Sequence, residues 1–235
     1  NVTGANNVAI GYASQNSSNT NNRNNTSLGF RSAGGLQGYS NTALGGDAMG
    51  RPAASYTVNN TVAVGDSVLF NITTGASNNT AVGTKALYTN SSGRTNTAIG
   101  ARALYDNTTG SYNVAIGDSA AANSATVSHL VAVGSKALYT NTTGTEITAV
   151  GDSALFSNTI GNFNTAVGNG ALRKNTDGDD NAAIGNKALY NNTTGGNNTA
   201  FGNDALYSNI SGGSNTALGF SALNKNTASS NTAVG

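Results

Sequence analysis

The stretch Asn79-Thr80-Ala81-Val82-Gly83 decides the fold, because near-copies of it follow at constant spacing. It returns as Asn96-Thr97-Ala98-Ile99-Gly100 and then as Asn113-Val114-Ala115-Ile116-Gly117. The closing glycine recurs every seventeen residues, at Gly83, Gly100, Gly117, Gly134, Gly151, Gly168, Gly185, Gly202 and Gly219. A fixed period near twenty residues is typical of a solenoid, in which each repeat forms one coil. We therefore interpret residues 1–235 as a single solenoid.

The first third of the chain carries the same motif at uneven spacing. Copies close at Gly11, Gly29, Gly45 and Gly65, which lie eighteen, sixteen and twenty residues apart, and eighteen more residues lead to Gly83. Insertions between repeats map to loops on one face of a solenoid. The sequence thus predicts irregular coils with insertions over 1–78 and regular 17-residue coils over 79–235.

The composition excludes several classes of protein. Charged residues are only 9 % of the chain, against roughly 25 % in average domains, but the apolar residues recur in register and can be buried together. A net charge of +1 does not provide the basic surface that nucleic acid requires. The chain has no cysteine for disulfides or thiolate metal sites, and it has no run of about 18 apolar residues that could span a bilayer. We expect no cofactor.

The regular repeat reads Asn-Thr-Ala-(Val/Ile)-Gly-x-x-Ala-Leu-(Tyr/Phe)-x-Asn-Thr-Thr-Gly-x-x, and we number it from its first Asn, position 1, to position 17. It contains two short apolar runs, each bounded by Gly or Asn, which is typical of strands and turns. A turn every eight or nine residues leaves no room for a helix. The sequence predicts an all-β fold, a parallel β-solenoid with two short strands per coil.

Side chains alternate between the two faces of a strand, so the repeat also predicts which residues point outward. If Ile99 and Leu104 fill the coil, Ala98 and the aromatic residues of position 10 lie outside. An apolar stripe that continues from coil to coil favours association with another chain, and it could also stack on sugars. The predicted stripe consists of Ala98, Tyr105, Tyr139, Phe156, Tyr190 and Tyr207. The asparagines of positions 1 and 12 are expected to stack in ladders along the axis.

The motif resembles the head repeats of YadA-type trimeric autotransporter adhesins and related tail-fibre-like proteins. Asn7 to Gly11, Asn113 to Gly117 and Asn164 to Gly168 are among the closest matches, and the resemblance covers essentially the whole chain. It implies a left-handed β-roll with three chains side by side, used for adhesion at a cell surface or on a virion or phage fibre. The added Asn-Thr-Thr-Gly turn and the regular Ala-Leu-Tyr run depart from the usual, shorter family repeat.

Two groups of residues could have a catalytic or metal-binding role. Gly-Asp-Ser occurs at Gly65, Gly117 and Gly151, but a serine nucleophile needs a histidine base, and the chain has one histidine, His129. We interpret these blocks as turns and expect no enzyme. The acidic cluster Asp177, Asp179 and Asp180 could supply carboxylates to Ca²⁺, which takes six to eight oxygen ligands, although a solvated turn explains it as well.

Asn-x-Ser/Thr triplets are dense in the repeat. Asn107, Asn141 and Asn192 are expected in an outer turn, which would make them accessible to N-linked glycosylation if the chain is secreted by a suitable host.

The sequence favours a non-enzymatic structural or adhesive fibre segment that forms a homo-oligomer. A trimer is favoured and a head-to-tail filament is possible, because the chain starts and stops within the motif and its end coils then need a neighbour. A surface receptor or carbohydrate could be a further partner, whereas nucleic acid and membrane insertion are not expected. The alternative is an ice- or crystal-binding solenoid that uses the threonine row Thr80, Thr97, Thr148, Thr165, Thr199 and Thr216.

Overall fold

The computed structural model describes residues 4–16, 22–50 and 55–235, and the only proline, Pro52, lies outside these ranges. The chain divides into two compact units, Asn1–Asn113 and Val114–Gly235. Both are built from short parallel strands, one above the other, and the predicted parallel β-solenoid is confirmed.

The first unit contains a six-stranded sheet and a two-stranded sheet. The larger sheet has the order β1-β2-β4-β6-β7-β8, so each strand pairs with the equivalent strand of the next coil. The irregular coils add the pair β3-β5, in which Leu36 lies opposite Tyr56. The strands are β1 Val8–Ile10, β2 Thr26–Leu28, β3 Leu36–Gln37, β4 Thr42–Leu44, β5 Tyr56–Thr57, β6 Val62–Val64, β7 Thr80–Val82 and β8 Thr97–Ile99.

The second unit contains one sheet of eight strands in sequence order, β9 to β16. Register is kept throughout, so equivalent repeat positions pair between neighbouring coils, as in Thr148↔Thr165 and Val150↔Val167. The strands are β9 Val114–Ile116, β10 Val131–Val133, β11 Thr148–Val150, β12 Thr165–Val167, β13 Ala182–Ile184, β14 Thr199–Phe201, β15 Thr216–Leu218 and β16 Thr232–Val234.

The prediction of two strands in each regular coil was wrong, because the Ala-Leu-(Tyr/Phe) run forms turns. Leu104 has φ 50° and Arg102 has φ 56°, so the backbone enters the left-handed region twice within three residues. An extended strand cannot contain such residues, and the run instead bends around the coil. Leu104 still fills the interior, where it is fully buried beside Ala103.

The prediction of which face of the Thr-Ala-(Val/Ile) strand is buried was also wrong. Ala98, assigned to the outer stripe, is fully buried, whereas Ile99, assigned to the interior, is 39 % exposed. The same holds for Ala115 and Ile116, with 0 % and 37 % exposure. The physical reason is the thinness of the coil: positions 3, 8 and 9 place two alanines and a leucine in its interior, and no room is left for a branched side chain from the strand.

The glycine at position 5 is required by two features. Gly185 has φ 136°, which L side chains rarely adopt, and a Cβ added there would lie 2.4 Å from the carbonyl oxygen of Gly202 in the next coil. Gly151 has the same φ within one degree and the same 2.4 Å approach, here to Gly168. The recurrent glycine therefore lets successive coils approach at strand spacing while the chain turns.

Candidate interaction surfaces

In each unit, the alternation in the strands leaves an outer sheet face, which we define as the residues at positions 2 and 4 of each coil. In the first unit it consists of Val8, Ile10, Thr26, Leu28, Thr42, Leu44, Val62, Val64, Thr80, Val82, Thr97 and Ile99. In the second unit it consists of Val114, Ile116, Val131, Val133, Thr148, Val150, Thr165, Val167, Ala182, Ile184, Thr199, Phe201, Thr216, Leu218, Thr232 and Val234.

No residue of the outer sheet face is charged, and every one is Thr or apolar. Its position 4 carries large side chains in solvent, including Ile10 at 58 %, Phe201 at 56 % and Val234 at 77 % exposure. Elsewhere on the described surface, sparse Lys, Arg, Asp and Glu are interspersed with polar residues. Solvent exposure of a long apolar face is unfavourable, so the face is a candidate for contact with a partner.

Exposed aromatic residues flank this face. Position 6, just beyond one end of the strand, carries Tyr12, Phe30 and Phe220, and position 17, just before the other end, carries Tyr112 and Phe163. All five are at least half exposed. Tyr12 and Phe30 stack with their ring centroids 5.5 Å apart. The large exposed apolar side chains therefore concentrate on one side of the coil.

The predicted aromatic row at position 10 has a different role. Tyr105, Tyr139, Phe156, Tyr190 and Tyr207 are half-buried. Their rings stack face to face with those of neighbouring coils, with centroids 5.3 Å apart in Tyr139–Phe156 and 5.4 Å apart in Tyr190–Tyr207. In each stacked pair the rings cover one face of each other, which reduces the ring surface on which a sugar could stack.

Arg173 takes the place of an aromatic residue in this row. Its guanidinium carbon lies 5.1 Å from the ring centroid of Phe156 and 5.8 Å from that of Tyr190. The planar cation thus continues the stack between the two rings, and it also approaches the hydroxyl of Tyr190 at 3.3 Å. From Tyr139 to Tyr207 the row therefore acts as a seam that ties coils together.

The structure places the asparagines of position 12 in the core, so the prediction of accessible glycosylation sites was wrong. Asn107, Asn141 and Asn192 are fully buried. The Asn192 amide donates to Asn175 Oδ1 at 2.8 Å and to the Gly195 carbonyl at 2.8 Å. The side chains turn inward because each amide can donate both to the preceding ladder member and to a turn carbonyl. A glycan on such a nitrogen would remove these bonds.

The asparagines of position 1 form a second buried ladder. The Asn181 amide donates to Asn164 Oδ1 at 3.1 Å and to the Gly195 carbonyl at 2.9 Å, while the Asn181 backbone N–H donates to the same Asn164 Oδ1. Both ladders meet at the position 15 carbonyl, since Gly195 also accepts from Asn192. The predicted stacking of asparagines is therefore present, as the hydrogen-bonded centre of the coils that carry both asparagines.

The acidic cluster is not arranged as a cation site. Asp179 Oδ1 accepts from the backbone N–H of Asn162 at 2.6 Å, and Asp177 Oδ1 accepts from the Thr159 hydroxyl at 3.4 Å. These two carboxylates thus bond to the preceding coil at separate points. Among the described residues, no group of three or more His, Cys, Asp or Glu side chains is placed to hold a metal ion.

The Gly-Asp-Ser turns bond locally. The Ser67 hydroxyl donates to Asp66 at 2.9 Å, and the Ser153 hydroxyl donates to Asp152 at 3.1 Å. This bonding matches the turn interpretation of the blocks. His129 is a position 17 residue with φ 62° and lies beside Glu146, Ile147 and Thr148 in a shallow surface depression.

The chain matches no known family model, no curated protein and no solved structure. Over the described ranges no helix is long and apolar enough to cross a membrane.

The outer sheet face was missed by sequence reasoning, although the repeat contains a signal for it. Position 3 is Ala in every strand of the large sheets except for Ser27, whereas position 4 varies among Val, Ile, Leu and Phe. A position in a tightly packed interior accepts side chains of one volume, whereas a surface position accepts side chains of several volumes. Variation among the internal repeats therefore indicates which strand face is buried.

Proposed function

We propose that the chain is a non-enzymatic segment of a structural or adhesive fibre, and that copies associate side by side through the outer sheet face. The observation that carries the proposal is the absence of charge along this face, combined with its exposed Val, Ile, Leu and Phe side chains. In the second unit alone, sixteen side chains point outward from eight strands. Stable interfaces use about 20–30 residues per partner, so the face and its flanks approach that size.

A second copy is the partner that suits this face best. The rows repeat at the strand spacing of about 4.8 Å, and a surface with the same period can place each of its side chains between equivalent neighbours along the whole contact. Another copy of the chain has this period by construction. A cyclic arrangement such as a trimer encloses the outer sheet faces, and it fits the resemblance to trimeric adhesin heads. On this proposal the chain works at a cell surface or on a virion or phage fibre, where the remaining faces are free for a receptor or carbohydrate.

A charge placed in the face tests the proposal. Val150→Glu puts a carboxylate among Val133, Val167 and their neighbours, and we expect it to dissociate the oligomer in sedimentation equilibrium while circular dichroism stays unchanged. Thr143→Glu adds the same charge at position 14, an exposed turn position away from the face, and serves as the control. A wild-type chain that remains monomeric at high micromolar concentration would refute self-association.

A second function, binding to ice or another crystal, is favoured by one observation. The threonines of position 2 point outward beside the apolar row of position 4, so Thr80, Thr97, Thr148, Thr165, Thr199 and Thr216 lie on the same face as Val and Ile. Val114, Val131 and Ala182 interrupt the threonine row. Thermal hysteresis of the purified chain tests this function, and Thr165→Lys should abolish any hysteresis that depends on the row.

A further inference from the structure

A shallow surface depression in the second unit follows the rows of positions 11 and 13. Its volume is about 340 Å³, and its lining residues come from three successive coils. Position 11 contributes Lys174, Asn191 and Ser208, and position 13 contributes Thr193 and Ile210. The asparagines of position 12, which lie between the two rows, are buried. None of the lining residues belongs to the outer sheet face.

Position 11 differs here from its usual state. In other coils its side chain bonds to the next coil: the Thr89 and Thr140 hydroxyls each donate to the position 10 carbonyl of that coil at 2.8 Å. In the depression, Lys174 and Ser208 replace this threonine. Over the part of the chain that the structure describes, neither the Lys174 ammonium nor the Ser208 hydroxyl makes a hydrogen bond. Both groups are therefore available to a ligand.

The charge of Lys174 is not compensated. Its Nζ lies 5.7 Å from the ring centroid of Tyr190, a cation–π distance. No ion pair joins Lys174 to another described residue. Asp177, the acidic residue nearest to it in sequence, accepts from the Thr159 hydroxyl of the preceding coil at 3.4 Å, whereas the depression extends over the two following coils. The depression thus presents one positive charge without a counter-charge.

We propose that this depression binds an acidic sugar, with the sugar carboxylate at Lys174. The inference rests on the adhesive function proposed above and names a ligand class for it. An ammonium and a carboxylate form a charge-assisted hydrogen bond, which is stronger than a neutral one. The Ser208 hydroxyl can bond to sugar hydroxyls, and so can Asn191, whose amide already donates to the Tyr207 carbonyl at 3.0 Å. Ile210 is 53 % exposed and offers apolar surface to the C–H face of the ring.

The composition of the lining favours a sugar acid over other anions. Lys174 is the only charged residue in it, whereas nucleic acid is bound through several cations. A sugar acid presents one carboxylate, several hydroxyls and an apolar ring face, which match one ammonium, neutral polar groups and one isoleucine. The volume lies at the lower end of the range of small-ligand sites, roughly 300–1,000 Å³, as expected for a single sugar ring.

Methyl β-D-glucuronide tests the site, with methyl β-D-glucoside as the matched neutral sugar. The two differ only at C6, which is a carboxylate in the first and a hydroxymethyl group in the second. In NMR titrations the glucuronide should bind the wild-type chain roughly tenfold more tightly, as one hydrogen bond to a charged group implies. Lys174→Gln should weaken glucuronide binding by this factor and leave glucoside binding unchanged. Lys136→Gln removes the same charge from an exposed lysine of position 7 and serves as the control.

The outcomes separate this inference from the proposed self-association. Equal binding of both sugars, or no glucuronide binding at tens of millimolar, would overturn the inference. Equal weakening by Lys174→Gln and Lys136→Gln would assign the effect to net charge and would also overturn it. The depression lies within one copy, so a chain dissociated by Val150→Glu should still bind the glucuronide. A monomeric wild type that binds it would reject self-association alone, and an oligomer that does not bind it would reject only the sugar site.

Discussion

The buried ladder of position 12 makes a quantitative prediction about where an asparagine is most costly to remove. Asn175 lies in the middle of the ladder. Its amide donates to Asn158 Oδ1 at 2.9 Å and to the Gly178 carbonyl at 2.9 Å, and its own Oδ1 accepts from Asn192 at 2.8 Å. Asn175→Ala therefore orphans the Asn158 oxygen and one amide N–H of Asn192. Each buried polar atom left without its partner costs about 1–3 kcal/mol, so we expect the variant to lose roughly 2–6 kcal/mol.

Asn209 offers a matched control one step from the end of the same ladder. It donates to Asn192 Oδ1 and to the Gly212 carbonyl, both at 2.9 Å, but its own Oδ1 is buried without a partner. Asn209→Ala therefore leaves the same cavity and removes the donor to Asn192 Oδ1. Unlike Asn175→Ala, it leaves no amide N–H without its acceptor. Gly178 and Gly212 both retain a second donor, Asn164 at 2.7 Å and Asn198 at 2.9 Å, so the carbonyls do not differ.

The two variants should thus differ by about 1–3 kcal/mol, the cost of one buried N–H without an acceptor. Urea unfolding followed by circular dichroism gives the difference, provided that the slope of the transition is the same in both variants. Hydrogen exchange should show the extra loss of protection in the coil that contains Asn192. If Asn175→Ala and Asn209→Ala are equally destabilised, the ladder does not act as a chain of hydrogen bonds, and simple loss of volume explains both.

Two further predictions follow from the backbone and from one buried hydroxyl. Burial raises the pKa of Tyr56 above its ordinary value of about 10, so the folded state keeps a proton that the unfolded state loses, and stability should fall by up to about 1.4 kcal/mol per pH unit above pH 10. Tyr56→Phe should remove most of this dependence of the unfolding free energy on pH in urea titrations at pH 8, 10 and 11. The lost hydrogen bond to the Met49 carbonyl should cost about 1 kcal/mol at every pH. Equal slopes of the unfolding free energy against pH in both proteins would contradict the reasoning. Thr95 is exposed with φ 58°, a conformation that asparagine tolerates better than a β-branched residue, so Thr95→Asn should raise the thermal midpoint through a gain of up to about 1 kcal/mol. No gain in Thr95→Asn would mean that the left-handed turn carries no strain for threonine.

The period of the sequence was sufficient to predict the fold class, because a seventeen-residue repeat with Gly and Asn at set positions has few packings available. It could not predict the path within a coil. Ala103-Leu104-Tyr105 has the composition of a short strand, but Leu104 adopts φ 50°. Propensity disfavours this conformation for leucine, and stacking against identical turns above and below overrides it. A local pattern contains no information about that stacking.

The same limit explains the errors at the candidate sites. Alternation in Thr97-Ala98-Ile99 separates two faces but does not name the buried one, and the larger residue was assigned to the interior. Likewise, Asn107 was placed in an outer turn because asparagine is common in turns. The amide instead donates to Asn90 Oδ1 at 2.9 Å and to the Gly110 carbonyl at 3.1 Å. Ladder bonds of this kind join residues seventeen apart, so only the repeat as a whole indicates them.

Departures from the repeat occur together, which shows how tightly its polar positions depend on each other. In the coil that begins the second unit, Ser124 replaces the asparagine of position 12 and Val127 replaces the glycine of position 15. Elsewhere a Cβ at position 15 would be too close to two atoms, as at Gly178, where the Gly195 carbonyl oxygen lies 2.4 Å away and Asn175 Oδ1 lies 2.5 Å away. The shorter serine removes the second of these obstacles, and Val127 is buried there.

The next two coils continue the same substitution at position 1. Leu130 and Ile147 stand where the ladder has asparagine, and both are buried. A single apolar residue within a run of asparagines would leave an amide unpaired on each side, whereas adjacent replacements place apolar side chains against each other. The polar ladder is therefore replaced in blocks, and the unit on which stability acts is a run of neighbouring coils rather than one residue.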